Sequence, residues 1–137
     1  MTAKLIFKLY IMSKSVVYSE NAPEPIGPYS QAIQAGNILF VSGQIAIQRT
    51  TGKIITTTIE EETNQVMENL GAVLQAAGMN FSNIVKTSIF LKNMDNFPQV
   101  NGIYGRFFAQ DPPARETVEV ARLPKDVNVE ISCVAVK

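Results

Sequence analysis

The stretch Asp111-Pro112-Pro113-Ala114-Arg115-Glu116-Thr117-Val118-Glu119-Val120-Ala121-Arg122-Leu123-Pro124 decides how the rest of this chain is read. Pro112 and Pro113 lack the N–H that a sheet ladder needs, so a strand starts only after them, and Pro124 stops it. Between the prolines the residues alternate, Val118 and Val120 to one side, Arg115, Thr117 and Glu119 to the other. The closing segment, Val127 to Val136, has the same period. Val127, Val129, Ile131, Cys133 and Ala135 form an apolar file, with Asn128, Glu130 and Ser132 opposite. If both apolar files face one layer, Arg115 and Glu130 share the other face of the sheet. A guanidinium and a carboxylate together on a face of small residues read as a site.

Working outward, Ile84 to Lys92 is a strand by its β-branched residues and Phe90. Asp95 or Asn96 caps a helix that tolerates Pro98 in its first turn and buries Phe97, Val100, Ile103, Tyr104, Phe107 and Phe108. Before it, Thr58 and Glu61 fit a capping box, and Ile59, Val66, Met67, Leu70, Val73, Leu74 and Ala77 make one helical stripe that Gly78 ends. Ser15 to Tyr18 is a short strand. Gln31 to Ala35 and Ile38 to Ser42 form a hairpin about Gly36-Asn37, and Gly52 turns the chain again. The order is β, β-β, α, β, α, β, β, an α+β sandwich with two helices on one side of a mixed sheet. The other face is half apolar, with Val134 and Val136 beside the polar residues, and such a face calls for a second copy of the chain.

Composition narrows the chemistry. The 137 residues make one domain, 46% hydrophobic and 18% charged, without low-complexity tracts. Twelve Lys+Arg balance twelve Asp+Glu, and no basic run with interleaved aromatics points to nucleic acid. The chain has no histidine and one cysteine, which excludes histidine-based triads, imidazole zinc sites, thiolate cages and an internal disulfide. No metal site is expected. The lone thiol, Cys133, falls on the apolar file and reads as inert core, and the cysteine usage fits a reducing, cytoplasmic setting. No stretch reaches membrane-spanning length. Residues 1–12 read as an extension ahead of a domain over 13–137, because Met12-Ser13-Lys14 looks like a second start and Lys8 breaks any signal-peptide core. A short added strand is the competing reading.

Three blocks carry a resemblance: Asn21-Ala22-Pro23 with Ile26-Gly27-Pro28-Tyr29-Ser30-Gln31-Ala32; Val41-Ser42-Gly43-Gln44-Ile45; and Pro113-Ala114-Arg115 with Val118 to Asp126 and Val129-Glu130-Ile131. In this order and spacing they resemble the reactive intermediate deaminase (Rid, or YjgF) family, in its 2-iminobutanoate/2-iminopropanoate deaminase branch. The resemblance implies a chorismate-mutase-like fold and a homotrimer with sheets inside, helices outside and clefts between subunits. It also implies hydrolysis of 2-aminoacrylate and related imines to 2-keto acids and ammonia, without a cofactor. On the matching positions, Arg115 grips the substrate carboxylate and Glu130 activates the water. Tyr29 closes the cleft, Ser42 and Gly43 face it, and Asn101 lies near its mouth. Thr117 stands where many relatives have cysteine, so thiol-dependent behaviour is not expected. Taken singly, Arg115 would be a solvated charge, Glu130 an edge-strand or interface ion pair and Tyr29 a loop anchor, and Glu119 and Arg122 read as structural or surface charges. Three function classes stay open: the imine deaminase, a 2-keto-acid-binding regulatory module without turnover, and an endoribonuclease, the last disfavoured by neutral charge and missing histidine.

Overall fold

A computed structural model describes residues 13–137. The expected extension over residues 1–12, and the strand that competes with it, lie outside the described residues. The chain opens with β1 (Lys14–Val17), then the hairpin of β2 (Ala32–Ala35) and β3 (Ile38–Gln44) about Gly36. Helix α1 (Ile59–Ala76) starts where the Thr58 side chain accepts a hydrogen bond from the Glu61 N–H at 3.1 Å. It ends at Gly78, whose φ of 70° allows the Gly78 and Met79 N–H groups to turn back onto the Gln75 and Leu74 carbonyls.

Strand β4 (Ile84–Leu91) is followed by α2 (Phe97–Gly105), then β5 (Ala114–Glu119) and β6 (Val129–Val136). Asn96 holds the N-cap position of α2, one of the two expected, but its side chain makes no capping hydrogen bond. A 3-10 turn over Met94–Asn96 intervenes, and Asn93 caps it by accepting from the Asp95 N–H. Val127 also departs from its expected file. It precedes β6 and packs with Ile45 and Leu123 in a small second cluster.

The six strands among the described residues lie in the order β1-β2-β3-β6-β4-β5. All pairs are antiparallel except β4 with β5, a parallel pair whose crossover carries α2. The helices cover one face, where Leu39, Ile89, Leu91 and Ile131 meet Val66, Leu70, Leu74 and Val100 in a fully buried core. The other face leaves Val16, Ile38, Phe40 and Val118 exposed, Phe40 by 49%.

Register overturns the shared-face expectation for Arg115 and Glu130. Residues paired across strands share a face. Arg115 pairs with Thr87 and Thr117 with Ile89, whose own partner is Ile131, so Arg115 and Thr117 point to the helix side. Phe90 pairs with both Val118 and Glu130, which places those two on the open side. The physical reason lies in α2: its aromatic side chains close over the edge strand, so a cation fits beneath the helix and Val118 is left facing out.

Candidate active site in two halves

Glu130 forms the first half with Gly43. Pairing between β3 and β6 shifts between Val41 and Gln44, and this irregularity brings Gly43 beneath the Glu130 side chain. A Cβ at position 43 would lie 2.1 Å from Glu130 Oε1, so only glycine admits the carboxyl group there. Beside them opens a cavity of about 240 Å³, lined by Tyr29, Ser42, Gly43 and Glu130 with Ile26, Ile45 and Pro124 among its walls. Burial raises the Glu130 pKa above the ordinary glutamate value.

The loop supplying Tyr29 is held from behind. Gln31, buried, accepts from the Ser19 N–H at 2.6 Å and donates to the Ser19 and Pro23 carbonyls. The Ser42 hydroxyl donates to the Ser30 carbonyl at 2.6 Å, so it anchors this loop while lining the cavity. Tyr29 itself is 47% exposed, its hydroxyl accepting from the Ile26 N–H at 3.4 Å. On the opposite wall, Pro124 leads into Lys125 and Asp126, both at positive φ, where Arg122 grips Asp126 through two bonds of 2.6 and 3.0 Å. Arg122 is thus structural. So is Glu119, which accepts from the Met94 N–H.

Arg115 forms the second half. Its guanidinium lies 5.4 Å from the centre of the Phe97 ring and 5.0 Å from that of Tyr104, and it donates to Asn101 Oδ1 at 2.7 Å. Burial raises the Tyr104 pKa, opposed by its 2.8 Å hydrogen bond with Thr87 and by the Arg115 charge. Thr117, on the same file of β5, has a buried hydroxyl oxygen with no hydrogen-bond partner among the described residues. Phe97 and Tyr104 were read from sequence only as core. Their spacing with Asn101, four residues and then three, puts all three on one helix face and was the signal to follow.

The fold therefore gathers Tyr29, Ser42, Gly43 and Glu130 in one place and Arg115 and Asn101 in another. It does not join the two sets within one chain. Cys133 belongs to neither: it is buried on the helix side, its thiol pushed up to about 12 by burial. Among the described residues no three His, Cys, Asp or Glu side chains gather as metal ligands.

Residues 19–137 match the family model Endoribonuclease L-PSP, a span that includes every residue of both halves. The chain belongs to the YjgF/Rid family. A RutC family protein of Pyrococcus horikoshii is 50% identical over 124 residues, covering 90% of this chain and 98% of the relative. A 2-iminobutanoate/2-iminopropanoate deaminase of Dermatophagoides farinae is 43% identical over 123 residues, covering 90% and 96%. The crystal structure of a Rid family protein of unknown function from Yersinia pestis superimposes with a TM-score of 0.89 at 49% identity, covering 91% of this chain and all of that one. This Rid fold is the expected mixed sheet with two helices on one face. Membership and the deaminase relative together support a deaminase-type activity in general terms.

Proposed function

We propose that this protein hydrolyses small 2-imino acids, such as 2-iminopropanoate and 2-iminobutanoate, to 2-keto acids and ammonia, in sites completed between the subunits of a homotrimer. The observation that carries this reading is the division of the site: a guanidinium held over two aromatic rings on one side of the sheet, a half-buried carboxyl beside a cavity of polar and apolar lining on the other. Two copies of the chain bring one half of each kind together, and the exposed Val16, Ile38, Phe40 and Val118 supply an apolar face for that contact.

Arg115 holds the substrate carboxylate. Its planar fork suits two parallel N–H···O bonds, and stacking on Phe97 and Tyr104 fixes its plane before the ligand arrives. Glu130 of the neighbouring copy takes a proton from the water that attacks the imine carbon. That proton is passed to the nitrogen to give an aminoalcohol; the same carboxyl group then moves the proton of the new hydroxyl to the amine, so that the C–N bond breaks and ammonia leaves as the carbonyl forms. Burial keeps the Glu130 pKa raised, closer to working pH than that of a free glutamate. Imines hydrolyse unaided, so positioning and one general base, worth about 10²–10⁴-fold, suffice.

The test adds purified protein to a dehydratase acting on serine or threonine and follows imine decay and keto-acid formation. Faster decay is expected, lost in Glu130→Gln while a non-reactive 2-keto acid still binds. Tight keto-acid binding without any acceleration would instead leave a binding module.

A further inference from the structure

Besides Thr63, whose hydroxyl donates back to the Ile59 carbonyl within the helix, two polar side chains sit where α1 ought to be apolar. Glu62 and Asn69 are 0% and 2% exposed, seven residues apart on the helix face that also carries Val66 and Val73. A carboxyl group and an amide are costly in such a place unless every hydrogen bond is met. Here they are met by the two segments that bound the Glu130 cavity. Glu62 accepts from the Asn128 backbone N–H at 2.7 Å through Oε1 and from Asn128 Nδ2 at 2.8 Å through Oε2. Asn69 Nδ2 donates to the carbonyls of Ile45 and Ile47, both at 3.0 Å. Gln65 in turn donates to Asn69 Oδ1, which sets the orientation of that amide.

We propose that Glu62 and Asn69 are positioning residues: through them α1 sets the gap in which the Glu130 carboxyl lies against Gly43. Asn128 stands two residues before Glu130, and Ile45 two residues after Gly43, so each tie acts next to one wall of the gap. The gap is narrow, since a single Cβ at position 43 would reach 2.1 Å from Oε1. A valine or leucine at position 62 or 69 would fill the core, but it could not hold two backbone segments at fixed height. The kinetic consequence rests on the deaminase reading above; the geometric one does not.

The test exchanges the polarity of one tie. In Glu62→Gln the new amide meets the Asn128 amide donor to donor, and in Asn128→Asp two carboxyl groups face each other. With both changes together, the amide at 62 donates to the carboxyl at 128 and still accepts from its N–H. Each single variant is expected to lower kcat by about tenfold to a hundredfold with little change in KM, and the double variant to recover most of it. In parallel, an NMR titration of the Glu130 carboxyl carbon should fall toward the ordinary glutamate range in the singles and rise again in the double. Singles that keep wild-type kcat and Glu130 titration would overturn the proposal, as would a folded double no better than the worse single. If the singles do not fold, the double decides alone by the same two readouts. A wild-type protein without turnover would sink the deaminase reading, and the titration would still decide on positioning.

Discussion

At the scale of single residues, the site is paid for in stability at Glu130. Burial raises its pKa, so the fold favours the protonated form; the cost is absent below the unfolded-state pKa and is incurred as pH rises through the folded value. Chemistry needs the opposite form. The acid limb of the kcat profile should therefore lie above the ordinary glutamate range, while Glu130→Gln should be inactive yet more thermostable than wild type at neutral pH, with the difference vanishing in acid. An acid limb at an ordinary glutamate pKa would remove Glu130 from the role of base. Arg115→Lys keeps a charge but loses the fork and the planar stack on Phe97 and Tyr104. Keto-acid affinity should fall at least about tenfold, and calorimetry showing full affinity would place the carboxylate elsewhere. Sequence alternation located both residues on strands. It could not show that Arg115 is covered by rings from α2, because that contact is set by how the crossover packs and by nothing local to β5.

At the scale of elements, caps and periodicity were the most legible signals. The Thr58 cap, the α1 stripe and the Gly78 stop were readable because each depends on residues within one or two turns. Thr58→Ala should lower stability by about 1 kcal/mol, read as a drop in melting temperature with activity unchanged. The faces of β5 were not legible. An edge strand with one half-covered side can hold a valine outward and an arginine inward, so the apolar-inward rule fails there. Polar Glu62 and Asn69 were visible interruptions of the α1 face, yet only tertiary contacts reveal what they hold.

At the scale of the whole molecule, helices cover one sheet face, and among the described residues no element covers the other. Light scattering should give about three times the 15.0 kDa chain mass. Phe40→Glu places a charge in the middle of the open face and should yield monomers without turnover. A folded, fully active monomer would contradict the shared site. The half-apolar face was legible from β6 alone, through Val134 and Val136. Its further breadth depended on strand order, which no single segment encodes.

The placement of Arg115 and Glu130 on opposite sides of one sheet also has a genetic meaning. In the proposed trimer, a cell carrying one allele with Arg115→Ala and another with Glu130→Gln would make two defective chains that repair each other. Wherever an intact Arg115 meets an intact Glu130 across an interface, a working site returns, at roughly a quarter of the interfaces under random assembly. Two different alleles both lacking Glu130 would never complement. Lesions in this one gene should thus fall into two complementation groups, divided along the two faces of the sheet.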